Sequence, residues 1–362
     1  MNFVGVHIPF DHKDIKAIED KIKERDIIRT VYSDEEFNQY TLGSYLEEVH
    51  VHGSKFVALF DRNIFSDIIA VARNRGTKGG RIPDTQRTAC ALLAFLQISK
   101  TLIEPGMAIY EYIDSGHFEL AKDELSIFRA ADNAHPQIFI DIALGRLDTL
   151  PAHALTPLKI KNIEKLEAEN IYRWKLHYGL TLKIALIEKA GGRSIEKIKT
   201  YLEWMYEDYI FSAPAIVFGV IYFSGKRISK MIKNLNSGNV TNMVKGLRNT
   251  AWDMTIAHYW SKRAIERKKH GEFWILCTAD KALKEMASFL ASSYKSKQDI
   301  EAKTNSLFVT YLGHTGGNKI YDYYLSLVNS CNNPDRKINK LESTKALYPF
   351  VDDLEQRFIR EA

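Results

Sequence analysis

Two short apolar runs, far apart in the chain and each stopping at an aspartate, constrain the fold most. Lys55–Phe60 (KFVALF) ends at Asp61, and Glu272–Thr278 (EFWILCT) runs on to Asp280. Apolar runs of this length without alternation suit strands buried on both faces, as in a parallel sheet. Helical patterns follow both: NIFSDIIAVAR after Asp61 and KALKEMA after Asp280. A third run, Ser306–Tyr311 (SLFVTY), predicts another strand, and the Gly-rich stretch Leu312–Asn318 then predicts a loop. Strand–helix–strand units imply right-handed crossovers and a parallel sheet. Ligands in such sheets bind beyond the carboxyl ends of the strands, where Asp61 and Asp280 fall.

Between these units the pattern is helical. Residues 12–25 place Ile15, Ile18 and Ile22 on one face of an amphipathic helix, and a second helical stretch starts at Asp34 and runs on from Glu36 to Glu48. Residues 74–87 are Gly-rich and basic, Thr88–Leu102 reads as a helix, and Pro105 opens another. From about 115 to 240 nearly everything is helical, and one long helix is expected from Thr241 to Lys268. The expected division is an N-terminal helical extension (1–50), an α/β core in two parts (51–114 and 241–330), a helical insertion (115–240) and a C-terminal helix or tail (331–362). At 362 residues, roughly two domains are expected.

The most apolar run, Ile210–Phe223, contains Pro214 and is shorter than the about 20 residues that span a bilayer. It reads as a buried helix, so no membrane partner is expected. Three scattered cysteines without a CxxC pair argue against a disulfide framework or a zinc cluster. With no leader pattern at the start, the expected location is cytoplasmic. Fifty Lys and Arg against 45 Asp and Glu give a net charge of +5, which permits a nucleic-acid partner without requiring one.

Four carboxylates stand out by position. Asp61 and Asp280 lie at strand ends, where an Asp can also serve as a helix N-cap. Asp253 shares a helix stripe with Ile256, Ala257 and Trp260, and Glu111 follows Met107 and Ala108. Burial of either carboxylate calls for an ion pair, with Arg248 a candidate for Asp253, or for a bound cation. Converging carboxylates repel unless a divalent cation neutralises them, and oxygen-only donors suit Mg²⁺ or Mn²⁺. On the substrate side, Arg62, Arg81, Lys281 and Lys284 are candidate phosphate-binding cations, and Gly backbone amides of 313–318 with His314 could cradle a phosphate.

These residues resemble a PIN domain, the metal-dependent nuclease family. FVALFDRNIFSDII resembles its opening strand with a terminal Asp (Asp61) and a small polar residue two positions on (Asn63). Glu111 resembles the family's glutamate and Asp253 its helix-borne aspartate. Thr278 and Asp280 in WILCTADKAL resemble its closing Thr/Ser-x-Asp. The resemblance implies a three-layer α/β sandwich around a central parallel sheet, interrupted here by a large all-helical insertion. It further implies an endonuclease, most often a ribonuclease, holding Mg²⁺ or Mn²⁺ through Asp61, Glu111, Asp253 and Asp280 and leaving a 5′-phosphate. The chain departs from the family in the length between Glu111 and Asp253, where a compact member has a few dozen residues. That insertion suggests a regulatory protein partner or self-association, and a toxin or defence effector held silent until triggered. Two alternatives stay open. One is a haloacid-dehalogenase-like phosphatase, although its second Asp is Asn63 here; the other is a non-catalytic PIN-like binding module.

Overall fold

The structure, a computed structural model, describes residues 8–31, 37–74, 81–114, 116–156, 158–160, 168–226, 228, 231–268, 270–290, 297–331 and 344–362. The starts of the helical stretch expected from Asp34 and of the basic loop beyond residue 74 lie outside them. The chain is mainly helical with one small mixed sheet and divides into two compact units. Among the described residues no helix is long and apolar enough to cross a membrane.

The first unit comprises Met1–Leu166, Trp260–Asp280 and Ala291–Ser293. It holds α1 (His12–Arg25), β1 (Ile28–Arg29), α2 (Leu42–Val51), β2 (Lys55–Phe60), α3 (Arg62–Ala72), α4 (Asp84–Ile98), β3 (Leu102–Glu104), α5 (Gly106–Asp114), α6 (Phe118–Asp132), α7 (Pro136–Ala143) and β4 (Glu272–Cys277). The sheet order is β1-β4-β2-β3, with β2 parallel to both β3 and β4 and β1 antiparallel to β4. After β2 the chain crosses to one side to form β3, and it returns on the other side as β4. The carboxyl end of β2 is therefore a topological switch point, the position where open α/β sheets leave a crevice. Registers Phe60↔Cys277 and Ala58↔Ile275 bring β2 and β4 to the same level, so Asp61 and Thr278 leave the sheet side by side.

Helix α4 forms the middle of this unit. Ala89 through Leu96 are completely buried, because the Ala- and Leu-rich sequence is apolar on every face and packs on α1, α3 and α7. The expected helix to Leu102 stops earlier. Lys100 takes a left-handed φ of 58°, and Leu102–Glu104 then joins the sheet as β3.

The second unit comprises Glu167–Tyr259, Lys281–Leu290 and Tyr294–Ala362. Its described elements are all helical: α8 (Ala168–Ala190), α9 (Ser194–Glu207), α10 (Ala213–Phe223), α11 (Val240–Lys268, entering the first unit at Trp260), α12 (Lys281–Leu290), α13 (Lys297–Ser330) and α14 (Thr344–Glu361). The apolar run at Pro214–Phe223 is fully buried in α10, as its length implies.

The expected strand at Ser306–Tyr311 is instead helical, and the expected Gly-rich loop is a break within α13. Gly313 adopts φ 76°, ψ 167°, outside helical space and open to glycine at little cost. The chain then folds back on itself. Phe308 meets Tyr321 and Tyr324 at 6.0 and 5.7 Å between ring centroids, and the Tyr321 hydroxyl donates to the Glu301 carbonyl at 3.2 Å. Gly317 permits the close crossing, since a Cβ there would lie 2.6 Å from Val309 Cα. Gly317→Ala is expected to destabilise the protein by about 1–3 kcal/mol, outweighing the about 1 kcal/mol of helix propensity that alanine adds. Gly238→Ala, which meets nothing within 4 Å, is expected to be near neutral by urea unfolding.

A buried histidine joins three helices of this unit. His177 of α8 lies between Thr255 of α11 (Nδ1 to Oγ1, 2.9 Å) and Ser212 before α10 (Nε2 to Oγ, 3.2 Å). The Thr255 hydroxyl donates to the Ala251 carbonyl at 2.7 Å, so its oxygen accepts from His177 Nδ1–H. Nε2 is then left to accept from Ser212, and the ring is neutral. Burial holds its pKa well below the usual value, and His258 and Arg173 push it the same way.

Candidate functional site

Asp61 follows β2 directly and occupies the N-cap position of α3, yet its side chain makes no capping bond. The carboxylate instead accepts the Thr278 hydroxyl at 2.8 Å and the Asn63 amide at 3.1 Å, both on Oδ2. Thr278 Oγ1 in turn accepts the Asp280 backbone N–H at 3.0 Å. With that lone pair occupied, the hydroxyl proton points to Asp61. Asp61 is 2% exposed and Thr278 is completely buried. Burial raises the Asp61 pKa; the Thr278 hydrogen bond opposes the shift and the Asp280 charge adds to it.

The strands fix this geometry. The Asp61 N–H bonds the Cys277 carbonyl at 3.0 Å, extending the β2–β4 ladder by one residue. On the other side the Thr278 N–H bonds the Ile27 carbonyl at 2.9 Å. The N-terminal segment thus helps place Thr278, which sequence reasoning missed because β1 has only two residues and no readable pattern.

Asp61, Asn63, Thr278 and Asp280 are therefore brought together. Glu111 falls in α5, directly after β3, and its side chain lies outside the described residues. Asp253 is half-buried on α11 and belongs to the second unit. Among the described residues no group of three or more His, Cys, Asp or Glu side chains is placed to hold a metal ion. The described part of the site is thus the buried strand-end carboxylate of Asp61, held by the Thr278 hydroxyl, with Asp280 joined to that threonine through its backbone N–H. Its oxygen-only donors and the cost of burying Asp61 beside a second negative charge suit a hard divalent cation.

The expected substrate-side cations divide. Arg62 is committed elsewhere: it donates to the Ala108 carbonyl at 3.0 Å, pairs with buried Glu124 at 2.8 Å and lies over the Tyr112 ring at 4.1 Å. It pins α3 to α5 and α6, so the sequence reading of it as a phosphate ligand gives way to a structural one. Lys281 is exposed at the start of α12, and Lys284 is half-buried one turn later. His314 is exposed, but it follows the helix break at Gly313 and not a strand, so the strand-end phosphate cradle expected at 313–318 is absent. Arg81 is exposed just before α4.

Thr278→Val is expected to destabilise the protein by about 1.5–3 kcal/mol, because it strips a buried carboxylate of a charge-assisted hydrogen bond. Thr278→Ser keeps the hydroxyl and is expected to stay within about 1 kcal/mol of the parent chain in the same denaturation experiment. Comparisons of this chain with protein-family models, with curated proteins and with solved structures each find no match.

Proposed function

We propose that this chain is a divalent-metal-dependent nuclease acting on RNA, with a PIN-like α/β core. One observation carries the reading. Asp61 is buried beside Asp280 at the switch point of a small mixed sheet, between parallel strands, and its hydrogen bonds hold the carboxylate in place without capping α3. Asp61 and Asp280 are the proposed ligands within this constellation, and Glu111, in the same unit, is a further ligand that the family resemblance implies. A bound Mg²⁺ or Mn²⁺ supplies water alignment and charge neutralisation for in-line attack on phosphorus. The chain's own part is positional. Thr278, set by the Asp280 N–H, fixes the orientation of the Asp61 carboxylate, while Asn63 holds it from the helix side. Lys281, adjacent to Asp280, is the proposed cation for the developing phosphate charge.

The test is RNA cleavage by the full chain, with the product ends identified. Cleavage that requires Mg²⁺ or Mn²⁺ and leaves 5′-phosphates is the expected result. Undiminished cleavage in chelator, or 2′,3′-cyclic phosphate ends, would overturn it. Release of inorganic phosphate from monoesters without RNA cutting would favour the phosphatase alternative.

A further inference from the structure

Within the first unit, a cleft of about 540 Å³ opens between α1, the start of α4 and the turn after α7. Lys21, Arg81, Ile82, Arg87, Gly145 and Asp148 contribute to its lining. Three of these carry positive charge and one carries negative charge. Lys21 pairs with Asp84 at 2.6 Å, and Asp84 also engages Arg25. Arg87 pairs with Asp148 at 2.5 Å and also donates to the Ile142 carbonyl. Lys21 and Arg87 are thereby held in fixed positions, with side chains 22% and 16% exposed. Arg81 differs: it is exposed, and among the described residues no carboxylate pairs with it. The cleft therefore has preplaced cations on two walls and, at its edge, a guanidinium that no carboxylate among the described residues pairs with.

We propose that this cleft binds a phosphate group. Arg81 would supply the charge-assisted pair, since a guanidinium fork matches phosphate oxygens bidentately. Lys21 and Arg87 are each paired with an aspartate, and with Arg81 and Asp148 they leave the lining three positive charges to one negative. The volume leaves room for whatever carries the phosphate, a nucleotide or one link of an RNA backbone. The proposal stands on the cleft alone, whether or not Asp61 and Asp280 carry out hydrolysis.

Two probes separate the sources of that phosphate: inorganic phosphate followed by calorimetry, and a short labelled single-stranded RNA followed by anisotropy. Both use the full chain in chelator, so that no cutting occurs. Arg81→Gln and Lys21→Gln are compared with Lys16→Gln, a solvent-exposed site on α1 paired with Asp20. Arg81→Gln is expected to weaken the bound probe about fivefold or more and to lower the magnitude of its salt slope by about one. Weakening of both probes assigns the site to the RNA backbone, and weakening of inorganic phosphate alone assigns it to a small phosphate ligand. No phosphate or RNA binding by the parent chain overturns the proposal. So does binding that is as tight in Arg81→Gln and Lys21→Gln as in Lys16→Gln, provided thermal melts show all variants folded.

Discussion

Asp61→Asn is expected to abolish metal-dependent RNA cleavage and, at the same time, to make the protein more stable. The activity loss, about 10²-fold or more, follows from removing a carboxylate proposed to hold the cation. The gain in stability, about 1–3 kcal/mol, follows from removing a buried negative charge whose neighbour is another one. Asparagine keeps an oxygen to accept the Thr278 hydroxyl, so the 2.8 Å link survives the substitution. The native Asp61 pKa lies above its unfolded value. Stability associated with the protonated form is therefore present below the unfolded pKa of about 4 and is lost as pH rises through the native one. The gap between Asp61→Asn and the parent should accordingly be larger at pH 8 than at pH 4. Urea unfolding without added metal, paired with a cleavage assay, measures both effects. Loss of activity with loss of stability would point to a purely structural aspartate.

The second large effect is acid sensitivity of the all-helical unit through His177. Its native pKa is depressed by burial and by the nearby His258 and Arg173 of α11 and α8. The unfolded chain binds a proton near pH 6.5 that the folded chain refuses. The contribution to stability is therefore complete above about pH 6.5 and is lost as pH falls toward the native pKa. Between the native and unfolded pKa values the slope approaches about 1.4 kcal/mol per pH unit. His177→Gln retains a donor for Thr255 and an acceptor for Ser212 but cannot titrate. The difference in stability between pH 7 and pH 5 should be smaller in that variant than in the parent chain. The carboxylates titrate alike in both proteins, so the comparison isolates the histidine. An equal pH 7 to pH 5 difference in both would refute the assignment.

The elements legible in the sequence were those whose signal is long. Strands β2 and β4 are continuous apolar runs, and α10 and α11 are long helical patterns. Strands β1 and β3, with two and three residues, carry no periodicity and form only because β4 and β2 offer them an edge. Ser306–Tyr311 misled because β-branched and aromatic residues favour strands in isolation. Its packing against Tyr321 and Tyr324 after the turn at Gly313 decides for helix. The same contrast holds at the site. Asp61, Thr278 and Asp280 are readable because a strand end announces itself locally. The link between Thr278 and Ile27, the pairing of Arg62 with Glu124 and the grouping of Lys21 with Arg87 join distant segments, and no local pattern encodes them.

Titration of the full chain with Mn²⁺ by calorimetry, beside Asp61→Asn and Asp280→Asn, tests the metal-centre proposal most directly. A saturable binding heat in the parent chain that is lost or weakened at least about tenfold in both variants is the predicted result. No binding heat in the parent, or equal binding in all three proteins, would contradict it.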